Sequence, residues 1–392
     1  MAISLTSTLV RMTARLSACA LVLSSLSLAT TAHAEVGVTN DTILIGQSAP
    51  MSGPAAALGQ QLNLGAKLYF NAVNAAGGVN GRKIELKVLD DFYEPDAAAR
   101  NTKTLIDNTK VFALFGYVGT PTSLAALKLA TPAGVPFFAP YSGAMALREP
   151  FARNVFHVRA SYNDETAAIV QQIRTTGLKR IAVIYNDDAY GKSGLDGVQR
   201  ALGTSAGQGV TLVAQASVPR NTADVKSAVS TVLAQKPEAV VIISAYQTVA
   251  ALVKGAQEQG YAGQFYNVSF VGTRALADTL GKAGGGVIIS QVMPYPKTAS
   301  SPLVREYQKL LKADGISDFD YGSMEGYVAA RAFVEGLKRA GRDLTREKLI
   351  TALESMGNYD LGGFNVNFSP SSHVGSKFVE MTIINSSGQV IR

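Results

Sequence analysis

Short β-branched runs alternate along the chain with longer stretches of helical periodicity, the pattern expected of βαβ units feeding a parallel sheet. In a first block, Ile43–Ile45, Ile84–Leu89, Val111–Phe115 and Val135–Phe138 read as strands, and the spacing predicts helices near 59–76, 95–108 and 122–131. A second block opens at Arg180, where Ile181–Ile184 and Ala239–Ile243 are unbroken apolar runs. Such runs suit strands covered by helices on both faces, whereas strict alternation marks a half-exposed sheet. Leu303, Tyr307, Leu310 and Leu311 share one helical face within 302–314, further helices are predicted over 321–340 and 345–354, and Phe378–Ile384 returns to strand. The two blocks look like copies of one architecture without visible sequence repetition.

Residues 1–34 have a different character. Arg11 and Arg15 precede an uncharged stretch from Leu16 to Ala32, and Ala32-His33-Ala34 has the form of a cleavage site. This reads as a secretory signal peptide cut after Ala34, so that the mature chain is expected to start near Glu35 and to be exported. Cys19, the only cysteine among 392 residues, leaves with it. Thiol catalysis, disulfide frameworks and cysteine-bound metals are then excluded, and no metal or cofactor is expected. The formal charge of +7 is dispersed, with no basic run or basic helical stripe, so nucleic acid is not an expected partner.

The motifs of common enzymes are missing. There is no P-loop, no G-x-S-x-G and no H-E-x-x-H, and Gly284-Gly285-Gly286 precedes a strand rather than joining strand to helix. His157 reads as a strand residue and His373 as part of a polar loop, neither with a serine and a carboxylate arranged beside it. No catalytic residue is assigned.

Candidate binding residues lie where strands end. Gly116–Ser123 runs from a strand through a glycine loop into a helix, with Thr120 as the expected N-cap and Pro121 behind it, so the free amides at that helix start can face an anion. Tyr117 lies in the same loop. Tyr141, Ser142, Gly143 and Ala144 follow the next strand and serve equally as a turn or as a ligand loop. Tyr190 and Tyr246 follow the strands at 181–186 and 239–244, and an aromatic face with a hydroxyl suits a small amphipathic guest.

Five segments in this order, Ile45-Gly-Gln-Ser-Ala-Pro-Met-Ser-Gly53, Asn74-Ala-Ala-Gly-Gly-Val-Asn-Gly81, Asp90-Asp91 with Glu94-Pro95, Tyr190-Gly191 and Glu325-Gly-Tyr-Val-Ala-Ala-Arg331, resemble the branched-chain amino-acid (Leu/Ile/Val) binding proteins of periplasmic ABC transport. The resemblance implies an α/β protein of the type I periplasmic binding fold, two Rossmann-like lobes with parallel central sheets joined by three hinge crossovers near 158–161, 285–292 and 358–365. Lobe 1 would comprise 35–159 plus 288–360, and lobe 2 would comprise 160–287 plus 361–392.

The resemblance also implies capture of a small carboxylate-bearing molecule, an amino acid or a related aromatic or aliphatic acid, by hinge closure and its delivery to a membrane ABC permease. Thr120 and the Tyr141–Ala144 loop would hold the carboxylate, with Tyr190 and Tyr246 facing them. Ser269 stands where the family carries an acidic partner for the ligand ammonium, which puts branched-chain amino acids in question. Asp187, Asp188 or another acid could supply the charge instead; otherwise the ligand lacks an amine, as an aromatic or aliphatic carboxylate does, and Tyr117 and Tyr141 line its apolar part. A sensing receptor that signals to a partner is the alternative reading, and a hydrolase using Ser142 or Tyr190 is a weaker third.

Overall fold

The computed structural model describes residues 35–392. The signal peptide expected at 1–34, with Cys19, lies outside the described residues. The first sheet is built from β1 (Thr42–Ala49), β2 (Lys83–Asp90), β3 (Ala113–Phe115), β4 (Phe137–Phe138) and β5 (Val155–Phe156), all parallel, in the order β2-β1-β3-β4-β5. The second is built from β6 (Arg180–Asn186), β7 (Thr211–Val218), β8 (Ala239–Ile243), β9 (Gln264–Asn267) and β10 (Ile288–Gln291). A hairpin of β11 (Gly357–Asp360) and β12 (Asn365–Phe368) intervenes before β13 (Glu380–Ile384) and β14 (Val390–Ile391) complete the second sheet, in the order β14-β13-β10-β9-β8-β6-β7.

Burial follows strand position. The central β8 is buried at every residue, while the edge strand β2 exposes Lys83, Glu85 and Lys87, charges that discourage pairing with another chain. The helices are α1 (Ala56–Ala75), α2 (Pro95–Lys103), α3 (Thr120–Ala130), α4 (Tyr162–Thr175), α5 (Ala189–Leu202), α6 (Lys226–Leu233), α7 (Tyr246–Glu258), α8 (Thr273–Leu280), α9 (Pro302–Ala313), α10 (Tyr321–Ala340) and α11 (Arg346–Glu354).

The chain passes between the sheets at 157–161, 292–301 and 369–379. Two of the expected boundaries therefore move. Ile288–Gln291, assigned to the first lobe, pairs with β9 and β13 in the second sheet. Residues 361 onward, assigned to the second, begin on the first: Phe368 packs on Phe138 and Phe156 at centroid distances of 6.2 and 5.2 Å. Periodicity locates elements but carries no information on which sheet recruits them.

The first and third crossings run side by side. The His157 amide donates to the His373 carbonyl at 2.8 Å and the Gly375 amide to the His157 carbonyl at 2.6 Å. Both histidines are buried here and tied to main chain, His157 Nε2 to Leu147 and His373 Nδ1 to Val155, each at 3.0 Å. His373 thus lies in the buried hinge rather than in a solvated loop.

Helices α1 and α10 meet backbone to backbone. A Cβ on Gly65 would fall 1.7 Å from the Ser323 carbonyl oxygen, and one on Gly326 would fall 2.0 Å from that of Leu62. Only hydrogen fits at either place, so Gly326→Ala must push the helices apart. The expected cost is ~1–3 kcal/mol, read as a lower urea midpoint with an unchanged slope. A midpoint equal to that of the parent chain would contradict this packing.

Candidate ligand cleft

The carboxyl ends of both sheets face one seam, where open α/β sheets place their ligands. On the first sheet, Gly119 rather than Thr120 takes the cap position of α3, at φ +95°, with no side-chain cap. Thr120 is the first helical residue, which frees its hydroxyl for Ser142, 2.7 Å away. Gly119 is needed for a second reason, since a Cβ there would sit 2.2 Å from the ring of Tyr93.

The Tyr141–Ala144 loop runs directly beneath the start of α4. The Tyr162 amide donates to the Gly143 carbonyl at 2.7 Å, and a Cβ on Gly143 would strike the Tyr162 ring at 2.5 Å. The Ala144 amide donates to Ser142 Oγ at 3.2 Å. Arg148, buried, pins this loop to the first crossing by donating to the carbonyls of Ser142, Ala144 and Arg159 at 3.2, 3.0 and 3.1 Å. Burial, and then the nearby charge of Arg159, pulls its pKa down to about 10.

Tyr117 does not join them. Its hydroxyl pairs with Thr102 at 2.9 Å and its ring packs on Phe137 at 4.9 Å, inside an apolar cluster on the far face of the first sheet. The expectation that it lines the ligand is corrected accordingly.

From the second sheet, Asp188 caps α5 by accepting from the amides of Tyr190 and Gly191 at 2.9 and 3.0 Å, which aims Tyr190 into the seam. The Tyr190 ring lies 5.4 Å from Tyr162 and 4.7 Å from Phe270. Phe270 also reaches the first half, 5.9 Å from Tyr93 and 5.5 Å from Tyr141. Tyr246 stands farther along, beside Gly272, where a Cβ would meet Leu58 of α1 at 2.6 Å.

Beneath the rings lies a charged group that the sequence reading missed. The Arg159 side chain is 0% exposed, 3.6 Å from Glu165 of α4 and 3.6 Å from Glu325 of α10, and 4.7 Å above the Tyr141 ring. It donates to Ser269 Oγ, while Glu165 Oε2 accepts from the Ser269 amide and the Ser290 hydroxyl, both at 2.7 Å. Ser269 is therefore committed to this network. A lone arginine inside the apolar crossing at 158–161 was the available signal.

Burial pushes both carboxyls up against the pull of Arg159, Glu325 to about 7. Several buried polar atoms at the seam have no hydrogen-bond partner among the described residues: Tyr93 Oη, Ser123 Oγ, Arg159 Nε and Nη1, and Glu165 Oε1. Two ion pairs close the rim between the halves, Arg220 with Glu94 at 2.8 Å and Arg274 with Asp318. Beside Tyr141 the seam retains a cavity of about 140 Å³ bordered by residues of both halves. Among the described residues, no group of three or more His, Cys, Asp or Glu is placed to hold a metal, and no helix is long and apolar enough to cross a membrane.

Two α/β halves joined by three crossings, with their sheet ends opposed across such a seam, define a two-lobed solute-binding protein. The chain belongs to the periplasmic binding protein family, matched over residues 42–389, and within it to the Leu/Ile/Val-binding type with the type I fold. Proteins of this family and fold bind substrates rather than transform them. The chain is similar to Leu/Ile/Val-binding protein homolog 8 of Brucella abortus, 27% identical over 354 residues covering 84% of this chain and 85% of that one. Its structure resembles that of a possible leucine/isoleucine/valine-binding protein from Rhodopirellula baltica, at TM-score 0.85 and 32% identity, covering 92% of this chain and 98% of the other. It also resembles a fatty acid ABC transporter substrate-binding protein from Thermomonospora curvata, at TM-score 0.82 and 25% identity, covering 91% and 92%.

The titration of Glu325 yields a test of the buried network. Its pKa is raised from 4.5 to about 7, so the folded state holds a proton that the unfolded chain has released between those values. That contribution to stability is complete below the unfolded pKa and is lost as pH rises through the folded one. Glu325→Gln mimics the protonated acid. Its urea midpoint is expected to rise relative to the parent chain as pH increases from 4.5 to beyond 7; parallel midpoints across that window would contradict the assignment.

Proposed function

We propose that this chain is the exported, periplasmic receptor of an ABC importer, which captures a small carboxylate-bearing solute between its lobes and presents the closed form to a membrane permease. Residues 1–34 supply the export signal, cut after Ala34. The observation that carries the reading is the set of buried, unpartnered polar atoms that both halves contribute to one seam. Each such atom costs roughly 1–3 kcal/mol when shut away from water without a partner. A guest that satisfies them therefore has a higher affinity for the closed arrangement than for an open one, and this difference is what drives closure.

The carboxylate end is assigned to the Thr120 and Ser142 hydroxyls with Gly143 and Ala144, on the first lobe. Tyr190 and Tyr246 close over it from the second lobe, and Tyr141 forms the wall between. The names of the similar proteins support a carboxylate as the shared feature, because leucine, isoleucine, valine and fatty acids all carry one.

Calorimetric titration with a panel of amino acids and aromatic and aliphatic acids tests the assignment. Thr120→Val removes a hydrogen bond to a charged group and is expected to weaken the best ligand by about ten- to a hundredfold, as is Tyr190→Ala through lost packing. Wild-type affinity in both variants would overturn the site. Uptake of that ligand should fall in a strain lacking the gene; unchanged uptake with a lost response to the ligand would assign the protein to sensing.

A further inference from the structure

A second cavity lies at the hinge and shares no lining residue with the one beside Tyr141. It holds about 200 Å³ between the segment 145–152, which follows β4, and the first and third crossings, represented by His157 and by residues 371–374. Leu147, Phe151, Val155 and Val374 give it apolar walls, and Arg148 and His157 also border it.

Arg148 is a buried cation without a counterion. The bonds from its Nη1 and Nη2 all go to main-chain carbonyls, those of Ser142, Ala144, Arg159 and Ala160. Glu165 and Glu354 pair with Arg159 and Arg153 instead, and Glu149, exposed on the cavity rim, makes no ion pair with Arg148 among the described residues. The Arg148 Nε is buried and has no hydrogen-bond partner among the described residues. Carbonyl dipoles do not neutralise a guanidinium, and a buried charge left without an opposite one is costly.

His157 offers the complementary kind of atom. Its Nε2 meets the Leu147 carbonyl at 3.0 Å, so that nitrogen carries the proton and Nδ1 carries a lone pair. Nδ1 is buried and also lacks a partner among the described residues. Burial first, and then the charge of Arg148, hold the ring neutral. His373 differs, because its Nε2 faces Glu354 at 3.4 Å. The cavity thus borders one cationic donor and one neutral acceptor, both open. A guest that fits them brings negative charge for Arg148 and a hydroxyl proton for His157, and a short carbon chain suits the apolar walls.

We propose that the hinge cavity is a second ligand site, for a small 2-hydroxy carboxylate whose carboxylate meets Arg148 Nε and whose hydroxyl donates to His157 Nδ1. Arg148 also anchors the Tyr141–Ala144 loop, so this is the position of an effector rather than of cargo. The site does not depend on what the cleft binds.

Of the chain's three histidines, His33 falls in the expected signal peptide, so the imidazole nitrogen resonances of the mature chain report on His157 and His373 alone. Titration with sodium lactate at constant ionic strength is expected to move the His157 Nδ1 resonance saturably. Propionate, which lacks the hydroxyl, and propane-1,2-diol, which lacks the charge, should bind about tenfold more weakly or worse. The lactate shift should persist in Tyr190→Ala, whose cleft is impaired. Arg148→Lys keeps the charge and loses the Nε–H, so lactate affinity should fall about tenfold or more, and the spectrum without additive shows whether the variant is folded. Ser371→Trp, which sets a bulky ring at the exposed mouth, should block the shift and serves if Arg148→Lys does not fold. A His157 resonance unmoved by lactate, or moved equally by propionate or the diol, would overturn the site. So would loss of the shift in Tyr190→Ala, the mark of a signal relayed from the cleft, or an unchanged lactate titration in folded Arg148→Lys or, failing that variant, in Ser371→Trp.

Discussion

A guanidinium with no access to water must be held by opposite charge, because its desolvation costs several kcal/mol that only close, well-oriented partners offset. Arg159 meets this requirement with one acidic residue from each side of the molecule, Glu165 on α4 and Glu325 on α10, the second of which carries its charge only as pH rises through about 7. Both halves must therefore converge on the first crossing. The same residue fixes its surroundings through Ser269, which it binds, and through its carbonyl, which Arg148 uses to anchor the Tyr141–Ala144 loop. The loop assigned to the ligand carboxylate and the hinge are thereby parts of one buried polar network.

Around this network the seam is aromatic on both sides. Tyr93 and Tyr141 come from the first half, Tyr190 and Phe270 from the second, and Phe270 touches all three tyrosines. Such contacts supply apolar burial without direction, and the rim pairs Arg220–Glu94 and Arg274–Asp318, whose side chains are 19% to 52% exposed, add at most about 1 kcal/mol each. Under the proposed function, selection of a guest is assigned to the polar atoms left unpartnered at the seam. That division of labour, with apolar contacts for adhesion and a few placed polar groups for identity, is usual in ligand sites.

Strands buried on both faces were legible because they read as apolar runs: Ala239–Ile243 in the sequence is β8 in the structure. The edge strand β7 was not, since Thr211–Val218 mixes small, polar and half-buried residues without a clear period. Lobe membership was beyond any local pattern, as the placements of Ile288–Gln291 and Phe368 show. The placement of the loops at 116–123 and 141–144 and of the tyrosines at 190 and 246 after strands was legible because strand ends announce themselves by glycine, proline and hydroxyl residues. Tyr117 was misplaced because Gly116, at φ +61°, turns the chain so that Tyr117 follows Leu114 into the outer cluster. Arg159, Glu165 and Glu325 are brought together only by tertiary structure, and no spacing in the sequence links them.

Capture between the lobes requires that the two halves move about their crossings to grip a guest. The mature chain is expected to contain no cysteine, so spin labels can be placed at Lys67 on α1 and Lys254 on α7, both exposed. Electron–electron double resonance between them should show a broad, longer-distance population without solute that collapses to one shorter distance when the best ligand of the calorimetric panel saturates the protein. A single distance, unchanged by saturating ligand, would contradict it.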